Sequence, residues 1–317
     1  LPGGRCSPCR PSSRSPDPEG GGAIIPASLQ EGLRVLIREA STSLPSDVEA
    51  ALAAALSREG SLGARAVLDT IGENIREARR GGTPICQDTG FPSFFFSFPA
   101  GTSLRALRAA AEEALSWATG EGLLRPNAVD PVTGANSGNN VGIGAPGLYW
   151  EEQDDDDLVV DLLLKGGGSE NVSAQCKLPD ASIRAGRDLD GVRRAVLRMV
   201  HEAQGFGCAP GILGIGIGGD RAGSMALAKR QLLRPVGSIN QDPELAALEE
   251  TLLEQANRLG IGTMGFGGDT TVLGVGAGMA HRHPASFFVS LAYGCWALRR
   301  KRLVLPAGGA FRIEEVN

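Results

Sequence analysis

Glycine constrains this chain more than any other residue type, with 45 in 317 positions. The glycines gather in short runs, as at Gly166 to Gly168, Gly214 to Gly219 and Gly265 to Gly268. No fixed period links the runs, so neither a collagen-like helix nor a repeat array fits. Such runs let a bulky inorganic group or a carboxylate approach the backbone closely, and their N–H groups can donate to anions.

Between the runs, apolar spacing predicts ordinary elements. Val48, Leu52 and Leu56, then Val67, Ile71 and Ile75, predict helices between residues 30 and 80. The first opens at Pro45-Ser46-Asp47 and the second stops at Gly81-Gly82. Leu104, Leu107, Ala111 and Leu115 predict another helix over 103–119. The acidic run Asp154 to Asp157 reads as a solvated loop, and Leu158 to Leu164 as a buried strand. Asp188 is expected to cap a helix carrying Leu189, Val192, Val196 and Val200. Asp242-Pro243 opens one carrying Leu245, Leu248, Leu252 and Leu259. The expected fold class is mixed α/β, helix-rich, with glycine loops where strands meet helices. Residues 1–28, rich in Pro, Gly, Ser and Arg, read as a disordered tail before a single domain over 29–317.

A net charge of −5 gives no electrostatic reason to expect a nucleic-acid partner. No stretch approaches the roughly 18 apolar residues of a membrane span. The first residues hold no apolar core of a secretory signal, which makes the cytoplasm the expected compartment. The missing initiator Met points to a fragment or a processed form.

Cysteines fall at 6, 9, 86, 176, 208 and 295. Cys6 and Cys9 form an isolated C-x-x-C in the tail, a weak metal signal. Cys86, Cys208 and Cys295 stand in turn-like or glycine-flanked contexts. Electron-transfer clusters and zinc sites usually group their cysteines tightly. Three distant thiols brought together would instead leave one iron of a cubane open to act as a Lewis acid on substrate. Spacing alone favours three packed thiols acting as small apolar side chains.

Five segments in order change that reading: ICQDTG, GGGSEN, GCAPGILGIGIGG, GTMGFGGDTTVLG and HPAS followed by CWALRR. Together they resemble the successive motifs of the class I fumarase and L-tartrate dehydratase α-type catalytic domain, over roughly residues 45–305. The resemblance implies a [4Fe-4S] cluster on Cys86, Cys208 and Cys295, with Cys176 a packed thiol. It implies proton transfer at Asp88 and substrate contacts from Gln87. It implies a carboxylate-gripping Arg125, with Gly166, Gly167, Gly168 and Ser169 lining the pocket. His283, twelve positions before Cys295, would position substrate or shuttle a proton. Most other arginines are expected at the surface. The activity implied is reversible hydration or dehydration of a C4 dicarboxylate, fumarate to malate first and tartrate to oxaloacetate second. Longer members carry a swivelling C-terminal domain, which this sequence lacks. The resemblance therefore implies a β subunit bearing it, in an α2β2-type assembly, and an apolar, glycine-rich face around the cluster.

Three other readings compete. Gly214 to Gly219 and Gly142 to Gly147 each fit G-x-G-x-x-G and would suit a nucleotide-binding oxidoreductase. A noncatalytic subunit retaining the fold would be expected to lose cluster ligands, yet all three cysteines and Asp88 are present. A radical-type cluster enzyme needs closely grouped cysteines, absent outside the tail.

Overall fold

A computed structural model describes residues 27–316. The expected tail, with Cys6 and Cys9, lies outside these residues except at Ala27 and Ser28, which already belong to the first helix. In chain order the helices α1 (Ala27–Thr42), α2 (Ser46–Arg58) and α3 (Leu62–Gly81) lead to strand β1 (Phe91–Pro99) and helix α4 (Leu104–Gly120). Then come β2 (Gly147–Gln153), β3 (Leu158–Lys165), the single turn α5 (Gly167–Asn171), β4 (Ala174–Lys177) and α6 (Leu189–Ala203). The chain continues with β5 (Gly211–Gly218), α7 (Arg221–Gln231), α8 (Pro243–Asn257), β6 (Val272–Ala280), β7 (Phe288–Gly294), β8 (Arg299–Leu305) and β9 (Arg312–Glu314). Among the described residues no helix is long and apolar enough to cross a membrane.

The helices form where local chemistry directs them. Asp188 accepts the Gly191 N–H at 2.7 Å, and Asp242 accepts from both Glu244 and Leu245. Each cap satisfies otherwise orphaned donors, for about 1 kcal/mol apiece. Val48, Leu52, Ile71, Ile75, Leu107, Ala111 and Leu115 face the core as their spacing predicts. Leu104 and Leu259 do not. Leu104 is the exposed first residue of α4, and Leu259 lies beyond the end of α8.

Two mixed sheets organise the chain, in the orders β2-β1-β3-β8-β9 and β4-β7-β5-β6. Helices α1 and α4 cover one face of the first sheet over Phe94, Phe96 and Leu162. Helices α6 and α8 cover one face of the second over Leu213, Ile215 and Leu291. A third core, with Phe95, Leu163, Ile212, Ala292 and Leu298, joins α2 and α3 to both sheets. The alternation of Phe94 and Phe96 against Phe95 is the period-two signature of a strand buried on both faces.

Most glycines of the 211–219 and 272–280 segments have a packing role. A Cβ on Gly214 or Gly216 would lie 2.1 or 2.0 Å from the carbonyl oxygens of Ala228 and Ser224 in α7. Gly276 and Gly278 stand beside them in register on β6. The shared glycine face lets α7 lie directly on the sheet. This corrects the expectation of glycine loops there and removes the nucleotide-loop reading. Two of the three pattern glycines, Gly214 and Gly216, lie inside β5, and the α7 N-terminus is already capped by Asp220 at 2.6 Å. Gly142 to Gly147 leads into a strand, with no helix end to meet a phosphate.

Candidate active site

The chain passes between its two sheets at residues 166–173, from β3 to β4, and again at 295–298, from β7 to β8. Register places both crossings at one end of the molecule. Lys165 pairs with Phe91 and Leu164 with Arg299, while Ile212 pairs with Gly294 and Ala174 with Leu291. The Cys86 segment enters β1 at this end, and the Cys208 segment enters β5. Four of the sequence motifs are thus the loops at one edge of both sheets.

Hydrogen bonds tie these loops together. The Trp296 N–H donates to the Cys208 carbonyl at 3.2 Å, joining the Cys295 and Cys208 turns. The Asp88 carboxylate accepts the Gly90 N–H at 3.1 Å and the Gly167 N–H at 2.8 Å, joining the Cys86 turn to the triple-glycine turn. Gly166 is what permits that docking, because a Cβ there would sit 2.8 Å from Asp88 Oδ2. Thr89 Oγ1 accepts from the Arg125 N–H at 3.0 Å and from Asn127 Nδ2 at 3.2 Å, which holds the loop bearing Arg125.

The three thiols of this edge influence one another. Cys295 is pushed up to about 11, by burial first and also by Cys208 and Cys86, against the pull of Arg299. Cys208 is raised by burial, then by Cys86 and Asp88. Cys176 stands apart on β4 opposite Val289, against the core of the second sheet, and its thiol is raised by burial. It senses Arg198 and Asp180 and none of the other cysteines. The thiols form no ready single-ion site among the described residues. A cubane does not need one, because its irons and sulfides separate the ligating thiols. Buried donors at this edge also lack partners, among them Arg299 Nη1, Tyr293 Oη and, beside its Asp47 pair, Arg300 Nη1. Buried donors are rarely left unmet. Those of Arg299 and Tyr293 beside three thiols fit an acceptor-rich inorganic group.

A cavity of about 720 Å³ opens beside the thiols, lined by Gln87, Asp88, Arg125, Gly167, Lys165, Glu170 and Lys229 among others. It falls in the usual small-molecule range of roughly 300–1,000 Å³. Of the expected site residues, Gln87, Asp88, Arg125 and Gly167 share this wall. Gly166 and Gly168 do not line it. Ser169 is buried and donates to the Gly166 carbonyl at 2.9 Å, closing the turn.

Sequence reading missed the cations in this wall. Lys165 is buried, 2.5 Å from Glu170, and Glu170 lies 2.6 Å from Lys229. Burial lowers the Lys165 pKa, with Glu170 opposing. Burial alone would raise Glu170, but the two lysines overcome it and hold its carboxyl below the usual range. A charge ending an apolar strand just before GGGSE was the available signal. Arg299 and Arg300 are both buried, two exceptions to the surface placement expected of most other arginines.

His283 is the residue this chain does not bring to the cavity. It lies in the loop before β7, and Cys295 follows that strand. Seven residues at about 3.3 Å each put the two at opposite ends, roughly 23 Å apart. His283 is exposed, and its Nδ1 accepts the Ala285 N–H at 3.1 Å. Arg187 and Arg282 hold the same loop through its carbonyls.

Residues 30–304 match the family model described as Fumarate hydratase (Fumerase). The chain belongs to that family. A Geobacillus stearothermophilus protein named "Putative fumarate hydratase class I" is 50% identical over 86% of this chain, which spans only 54% of that relative. The Escherichia coli K12 protein named "L(+)-tartrate dehydratase subunit alpha" is 34% identical over 86% of this chain and 88% of its own length. A Methanocaldococcus jannaschii protein named "Putative L(+)-tartrate dehydratase subunit alpha" is 39% identical over 86% of this chain and 96% of its own. The chain thus spans about half of the fumarase relative and nearly all of the α subunits.

Around the Cys208 turn this fumarase-family surface is apolar. Phe206 and Phe266 are 78% and 71% exposed, and Met264 is also exposed. That agrees with the expected apolar face.

Proposed function

We propose that this chain is the cluster-bearing half of a hydro-lyase that reversibly adds water to, or removes it from, a C4 dicarboxylate. Fumarate to malate is the first reading and tartrate to oxaloacetate the second. The observation that carries it is the meeting of the Cys86, Cys208 and Cys295 loops beside a cavity walled by Asp88, Gln87 and Arg125. Cys86, Cys208 and Cys295 would hold the [4Fe-4S] cluster, which when bound supplies a Lewis-acidic iron for a hydroxyl or carboxylate. Arg125 can grip a substrate carboxylate with two parallel N–H bonds. Lys229 and Lys165 add positive potential to the same wall, partly neutralised by Glu170. Asp88 is held at both oxygens by backbone N–H groups, which fixes its carboxylate at the cavity wall, where it can accept a proton from the substrate carbon or water.

The α-subunit names of the tartrate dehydratase relatives support a β partner carrying the swivelling part. The open cavity and the exposed apolar side chains of Phe206 and Phe266 near the Cys208 turn agree with closure by another polypeptide, which would exclude water and strengthen each electrostatic contact. An α2β2-type assembly in the cytoplasm is the form we expect. The deciding experiment is anaerobic co-purification with a β chain, followed by assays on a panel of C4 dicarboxylates. Turnover of fumarate or tartrate only by the pair supports the reading. Strong turnover by this chain alone, or none by the loaded pair on any C4 diacid, refutes it.

A further inference from the structure

Arg299 opens β8 and is 1% exposed. Its Nε donates to the Ala297 carbonyl at 3.0 Å and its Nη2 to the Asp88 carbonyl at 2.8 Å. Its Nη1 is buried with no partner. The adjacent Arg300 is just as buried and its Nη1 also lacks a partner, but its charge is met by Asp47 at 2.5 Å. Arg299 has no such carboxylate, since the Asp88 side chain is engaged by Gly90 and Gly167. A guanidinium does not shed its proton in a protein, so this is a full buried charge that needs an anion. Its two anchors say where the anion lies. Ala297 is two residues past Cys295, and Asp88 is two past Cys86, so the cation is clamped between two of the three thiol segments. Tyr293 supplies an independent sign from the third. Its ring fills the space left by Gly207 and Gly211, on either side of Cys208, where a Cβ would fall 2.5 and 2.4 Å from it. Its hydroxyl is buried and unpartnered.

We propose that Arg299 is the buried counter-cation of the iron–sulfur cluster and donates a hydrogen bond to it from between Cys86 and Cys295, with Tyr293 donating from the Cys208 side. The proposal rests on the cluster reading above. Cluster sulfurs accept such bonds, and donors and charge around them set the reduction potential. A fixed positive charge favours the more reduced state and therefore slows oxidative loss.

The test uses the full chain, reconstituted anaerobically with ferrous iron and sulfide, as wild type, Arg299→Gln, Arg299→Lys and Tyr293→Phe. Three quantities are read: midpoint potential, the rate of loss of cluster absorption in air, and the Tm gap between loaded and cluster-free protein. Arg299→Gln should lower the potential, shrink the Tm gap and speed loss by about ten-fold or more, as expected for a lost charge-assisted bond. Arg299→Lys should restore part of each, and Tyr293→Phe should move each less in the same direction. An arginine that only braces two carbonyls would lower both Tm values equally and leave gap, potential and rate unchanged, which overturns the proposal. Failure of the wild-type chain to take up iron and sulfide overturns the cluster reading itself, and this inference with it.

Discussion

The two ends of β7 present opposite surroundings to residues of one motif. At one end, Cys295 meets Cys208, the Asp88 turn and two buried arginines. At the other, His283 lies on an exposed loop held by its own neighbours and Arg187. Both residues belong to one sequence motif, twelve positions apart. A strand separates residues as efficiently as any element can, at about 3.3 Å per residue. Closeness in a motif is therefore no warrant for closeness in a site.

Substitutions can break or sharpen that contrast. The largest effect is expected at the thiols. Cys86→Ser, Cys208→Ser or Cys295→Ser should abolish the visible absorption of anaerobically reconstituted protein, while Cys176→Ser should keep it. A cluster that survives Cys295→Ser but not Cys176→Ser would reverse the ligand assignment.

Next comes Asp88→Asn, assayed in the two-chain enzyme with the cluster intact. A carboxylate that moves a proton contributes typically ~10²–10⁴-fold to rate, so kcat should fall by that order. A change confined to KM would leave Asp88 a turn residue. Gly166→Ala should follow, because the new Cβ displaces Asp88 from the Gly167 N–H. Loss of one hydrogen bond to a charged group costs about 1.5–3 kcal/mol, or ten- to hundred-fold in kcat/KM if Asp88 must be docked to work. Wild-type kinetics for Gly166→Ala would show that the docking does not matter.

Arg125→Ala should chiefly raise KM, since an exposed side chain at the cavity wall binds more than it transforms. A loss confined to kcat would contradict that division. The smallest effect is expected at the far end of β7. His283→Ala should change kcat less than Asp88→Asn does. An equal loss would mean that a second copy of the chain delivers its histidine to this cavity.

The sequence by itself determined what depends on neighbours a few positions away. Caps at Asp188 and Asp242 and the apolar stripes of α2, α3, α4 and α6 were legible because capping and helical spacing act within one or two turns. The motif order singled out the thiols and Asp88 as candidates. Strand β1 was missed although Phe94 to Phe96 carries aromatic β-formers. A strand buried on both faces loses the polar alternation that would announce it. Tertiary structure alone decided which loops share an edge, because that depends on strand direction and register across two sheets. It also decided that Arg299-Arg300, which reads as a basic surface pair, lies inside. Burial of a charge is set by what packs around it from distant segments, here those of Asp47 and Asp88, and no local pattern encodes that.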